Sequence, residues 1–113
     1  MALHHAAPGE IVDLCPAEEN LKEARTAALV KTKAFEAVRI VLQAGAQLPV
    51  HHVAGEITLQ CLIGRVRLTV EDQNLDLSPG QWVYLAGGAP HAVQATDDSV
   101  LLLTILLHTS GAE

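Results

Sequence analysis

The sequence predicts an all-β domain, a sandwich or closed barrel, on three observations. Half of the residues are hydrophobic but only 3% are aromatic, so the core is built from Val, Leu, Ile and Ala, which suits a tight aliphatic barrel. Beyond Thr26, apolar and polar residues alternate with the period of half-buried strands, and turn residues punctuate them about every ten positions. A chain of 113 residues is one domain, and we read residues 1–25 as an N-terminal arm and 26–113 as a single barrel.

The elements follow in order. Residues 1–14 are mixed, with Pro8-Gly9 marking a turn and His4-His5 at an end segment, where a surface position is expected. Pro16 at a first helical position, Glu18 and Glu19 early and Lys22 and Arg25 late predict one short helix ending near Arg25. Thr26 to Thr32 is rich in β-formers, and Phe35 to Gln43 places Val38, Ile40 and Leu42 on one face, with Arg39 on the opposite, solvated one. Gly45 closes that strand and Pro49 opens a histidine segment.

Ile57, Leu59, Cys61 and Ile63 then form one apolar stripe, and Val66, Leu68 and Val70 form another after Gly64. This pattern predicts two antiparallel strands joined tightly at Gly64. Asp72-Gln73-Asn74 supplies the next turn, a short strand carries Leu75 and Leu77, and Gln81 to Leu85 and His91 to Ala95 are further strands around the Gly87-Gly88-Ala89-Pro90 loop. Ser99 to His108 is apolar on both faces, so it is expected to be covered twice, with a homodimer partner supplying one cover.

Composition removes several classes of function. The formal charge is -6 and the seven Lys and Arg are scattered, so no basic stripe exists for nucleic acid or an anionic membrane. The longest apolar run, Val100 to Leu107, is far below the roughly 18 residues that span a bilayer. Met1 to Ala6 lacks the cationic start and apolar core of a secretion signal, and Cys15 and Cys61 form no Cys-x-x-Cys spacing. A soluble, cytoplasmic protein with two reduced thiols is expected.

The chemistry concentrates in Val50-His51-His52-Val53-Ala54-Gly55-Glu56-Ile57, which sets two imidazoles and a carboxylate at a strand base. Imidazole and carboxylate are ligands for borderline metals, although a solvated His-His pair in a loop is the commoner arrangement. A second segment, Gly80 to His91, ends in an isolated histidine after a Gly-Gly-Ala-Pro turn.

Together the two segments resemble the paired motifs of the cupin superfamily, small jelly-roll barrels of double-stranded β-helix type related to RmlC. The first motif reads Gly-x5-His-x-His-x3,4-Glu-x6-Gly and the second Gly-x5-Pro-x-Gly-x2-His-x3-Asn; Gly45, His51 and Gly64 match the first, and Gly80, Gly88 and His91 the second. The departures fall on the ligand positions. Val53 stands for the second histidine, Ile57 for the glutamate, Ala86 for the proline and Ala95 for the asparagine. Shifting the frame so that His52 and Glu56 serve as ligands would send the Ile57-to-Ile63 stripe outward unless the preceding loop turned them in.

The resemblance implies a pocket holding His51 and His91, lined by Val53, Ile57, Leu59 and Cys61, for a small-molecule ligand. It leaves two uses of the histidines open. They either hydrogen-bond each other, water or an organic ligand, or hold a divalent metal (Fe, Ni, Zn or Mn) in a dioxygenase- or isomerase-type enzyme. No organic cofactor is implied, and no paired carboxylate or Ser/His/Asp spacing supports metal-free catalysis.

Overall fold

The computed structural model describes residues 5–16, 21, 23–51 and 54–107. Among the described residues nine strands follow one another: β1 (Ala27–Lys31), β2 (Phe35–Leu42), β3 (Gln47–His51), β4 (Ile57–Ile63), β5 (Val66–Val70), β6 (Gln73–Leu77), β7 (Trp82–Leu85), β8 (His91–Ala95) and β9 (Ser99–Leu106). They build two antiparallel sheets, a five-stranded one ordered β1-β2-β9-β4-β7 and a four-stranded one ordered β3-β8-β5-β6. The result is the expected all-β jelly roll. No helix among the described residues is long and apolar enough to cross a membrane.

The core lies between the sheets and is aliphatic, as the composition requires. Leu59, Cys61, Val66, Leu68 and Leu101 are each at most 2% exposed. Alternation explains the burial: Val66 and Leu68 face in while Arg67 is exposed, pairing with Asp76 at 3.3 Å on the surface.

Three expectations are corrected. The β4 and β5 strands are not a hairpin, since β4 pairs with β7 and β9 while β5 pairs with β6 and β8. Both apolar stripes face one interior from opposite sheets, so Gly64 turns a corner between layers rather than closing a ladder. Its φ of 83° suits glycine, and a Cβ there would collide with the Asp98 carbonyl and Ser99. The tight hairpin joins β5 to β6, with Val70 opposite Gln73. Its turn is therefore Glu71-Asp72, one residue earlier than the Asp72-Gln73-Asn74 reading. Finally, of the helix expected from Pro16 to Arg25, no α-helical turn is seen among the described residues. Residues 17–20 and 22 lie outside the described residues, and Leu21 begins a tight turn in which the Ala24 N–H donates to its carbonyl at 3.2 Å.

Strand β9 is covered on both faces over part of its length, and the chain itself supplies cover. Leu101 and its partner Ile40 face the core, so the neighbouring Val41–Val100 pair lies on the outer face, yet Val100 is 0% exposed. Arg39, in the adjoining outer row, donates from its Nη atoms to the carbonyls of Asp13 and Arg25 at 3.5 and 3.4 Å. It therefore holds the N-terminal arm across the sheet rather than standing in solvent.

Candidate functional site

A bulge sets the register of the site. Leu48 on β3 pairs with Val93 on β8, and His51 pairs with His91, so three steps on β3 oppose two on β8. The extra residue falls within Leu48 to His51, the stretch that contains Pro49, where a missing backbone donor is tolerated because the ladder is already interrupted. His51 thereby enters one cross-strand row with His91, Val70 and Gln73.

His91 is buried, 5% exposed, at the first position of β8. Its Nδ1 lies 3.1 Å from the Ala89 carbonyl oxygen. A carbonyl can only accept, so Nδ1 carries a proton and donates it to that bond. The bond also fixes the ring plane against the loop that precedes it.

On the interior side His91 borders an apolar void of about 10 Å³ with Leu48, Ile57, Leu59, Val93 and Leu103, room for about one water. Toward the open end it borders a pocket of about 80 Å³ with Thr69, Glu71 and Pro90. Glu71 also edges a cleft of about 550 Å³ between the β5–β6 turn and the Ala86 to Ala89 loop. That loop passes close to the one before β4, since a Cβ on Gly87 would clash with the Ala54 carbonyl. His91 thus stands between a packed aliphatic interior and an open mouth.

Of the other predicted pocket residues, Ile57 and Leu59 line the interior void with His91. Cys61 lies in the core cluster away from that void. Burial pushes its thiol up from the usual range, opposed by a hydrogen bond to the Ile63 carbonyl, so it packs as a small hydrophobe. His52 and Val53 lie outside the described residues. Glu56 is turned away from His91: its carboxylate accepts a short hydrogen bond from the Tyr84 hydroxyl, while its neighbour Ile57 faces in. Trp82 and Tyr84 are 59% and 50% exposed on the outer face of β7, and Tyr84 also borders the cleft of about 550 Å³.

A metal requires donors that converge. Among the described residues no three His, Cys, Asp or Glu side chains are grouped to share an ion. With Ile57 inside and Glu56 held by Tyr84, a site of three or four protein ligands does not fit the described residues. The mouth residues Glu71 and Asp72 were not singled out in the sequence. The signal that locates them is the pair of apolar-alternating runs meeting at Val70 and Gln73, which leaves two residues for the turn.

Comparison with known proteins agrees with this architecture. The cupin domain family matches residues 38–107, and no curated protein matches the chain. Among solved structures, a conserved protein of unknown function from Streptococcus pyogenes superposes with a TM-score of 0.76 at 17% identity, covering 97% of each chain. An RmlC-like cupin with a double-stranded β-helix fold from Methanocaldococcus jannaschii gives a TM-score of 0.69 at 26% identity, over 74% of this chain and 79% of that one. Bacillus subtilis oxalate decarboxylase, a protein with Mn(II) centres, gives 0.64 at 22% identity over 71% of this chain and 23% of its own length. With the two glycine-bounded histidine segments, the two-sheet barrel and the family match in agreement, the chain belongs to the cupin family.

Proposed function

We propose that this chain is a small-molecule-binding cupin, with His91 and His51 at the junction between the apolar interior and the mouth. The observation that supports the reading is His91 itself, a buried imidazole anchored through Nδ1 to the Ala89 carbonyl, which borders both spaces in one row with His51. A buried polar group at the edge of an apolar pocket orients a ligand, while the walls supply contact area. A thermal-shift screen of small organic molecules tests this. Stabilising ligands whose effect disappears in His91→Ala support it, and a ligand stabilising both forms equally would place binding elsewhere.

A second reading, a metal-dependent dioxygenase- or isomerase-type cupin, is favoured by the His51–His91 register and by the Mn(II) centres of oxalate decarboxylase. It requires donors beyond the two histidines, from water, substrate or residues outside those described. Stoichiometric Fe, Ni, Zn or Mn lost on replacing either histidine would establish it.

The proposal extends to a homodimer in the cytoplasm. The outer face of the five-stranded sheet carries Leu102, Trp82 and the 41% exposed Leu106 beyond the N-terminal arm, an apolar surface for a second copy. A reducing compartment fits two free cysteines, one exposed and one buried.

A further inference from the structure

The cleft of about 550 Å³ at the barrel mouth lies within the range of roughly 300–1,000 Å³ that holds small organic ligands. Its walls include Val70, Leu75, Val83 and Leu85, and its rim carries Glu71 and Asp72, with no lysine or arginine among the described residues that line it. We infer that the mouth takes an amphipathic organic cation, an amine with an aliphatic or aromatic body, in preference to a carboxylate. The inference rests on the small-molecule-binding reading and names the class of ligand.

The walls offer apolar contact and the rim offers charge of one sign. A ligand carboxylate entering this cleft would approach two carboxylates with no cation to receive it. An ammonium with its body against Val70, Leu75 and Val83 meets both features at once. The formal charge of -6 acts in the same direction at long range. Glu71 is placed firmly for this role. It holds a left-handed φ of 53° at the first position of a two-residue turn, where glycine would sit without strain. Its N–H reaches the Pro90 carbonyl at 3.4 Å, tying the turn to the loop that carries His91. Since Glu71 also borders the pocket beside His91, a ligand seated at the rim lies next to the imidazole.

Both carboxylates are exposed, so their pull is a matter of a few-fold and depends on salt. The test uses the full chain and three probes of nearly equal size, 2-phenylethylammonium, 2-phenylethanol and phenylacetate, titrated with amide chemical shifts as readout. The expected order is ammonium, alcohol, carboxylate. The ammonium should exceed the alcohol by about fivefold at low salt, with the gap closing near ~0.5 M salt and shifts centred on Val70, Leu75 and Val83. In Glu71→Gln/Asp72→Asn, two surface changes whose folding is checked by thermal melting, the ammonium should fall to the alcohol's affinity while the alcohol is unchanged. Phenylacetate binding as tightly as the ammonium, or a preference that survives the double variant, would overturn the inference. Equal binding of ammonium and alcohol at these residues would overturn the cation preference and leave the small-molecule reading standing. Failure of all three to bind at millimolar concentration would overturn both.

Discussion

At the scale of single residues, burial and hydrogen bonding separate groups that the sequence places side by side. Glu56 and Ile57 are neighbours, yet one serves the outer surface through Tyr84 and the other faces the interior beside His91. The Glu56 hydrogen bond and nearby negative charge raise the Tyr84 phenol above its ordinary value of 10.0. The neutral, donating phenol is the form favoured by folding, so its contribution to stability is complete below pH 10 and is lost as pH rises through the raised value. Tyr84 is the single tyrosine, which makes phenolate absorbance a clean probe. Its titration midpoint should lie above 10 in the native protein and fall in Glu56→Gln; an unchanged midpoint in that variant would remove the carboxylate as the cause. Gly64 gives a stability test at the same scale. Gly64→Ala adds a left-handed strain of about 1 kcal/mol and a collision with backbone, together roughly 3 kcal/mol or more. Thermal unfolding should show a midpoint lowered by about 10 °C or loss of the folded state.

At the scale of strands, legibility followed the hydrophobic period. The alternating runs at Ile57–Ile63, Val66–Val70 and His91–Ala95 are strands because one face of each meets an aliphatic core. Strand β3 was missed as a strand because Pro49 and a bulge interrupt its alternation, and those same features bring His51 into register with His91. The pairing of β4 and β5 was misread because period reports which face is buried and not which sheet supplies the neighbour. The two sheets present identical patterns to one interior. Arg39 was read as solvated for a related reason: the sequence shows that it points out, while only the fold shows the arm lying above it. Deleting Pro49 should remove the extra residue and return β3 to strict alternation, with Val50 opposite Ala92 and His51 still opposite His91. The expected outcome is a folded barrel whose ligand stabilisation is retained in the thermal-shift assay; its loss would show that the bulge itself, rather than the His51–His91 register, shapes the site.

At the scale of the whole molecule, the paired glycine-and-histidine segments made the family legible, since their spacing survives where the ligand residues do not. The site was legible only in part. His91, Ile57 and Leu59 line one small void, whereas the acidic mouth depends on two connections that are distant in sequence. The homodimer proposal belongs to this scale. Sedimentation at micromolar concentration should give twice the 12.0 kDa chain mass, and Trp82→Lys, at an exposed position on the edge strand β7 of the outer face, should shift it toward monomer without unfolding the barrel. A single 12.0 kDa species throughout would contradict the dimer.

We propose that the histidine pair serves a small organic ligand rather than a resident metal. Native mass spectrometry of the untagged protein, purified without chelator and paired with elemental analysis before and after adding iron, nickel, zinc or manganese, addresses it directly. The expected result is an organic adduct on the native chain that is lost in His91→Ala, with metal well below one ion per chain. Near-stoichiometric metal that disappears in both His51→Ala and His91→Ala would contradict it.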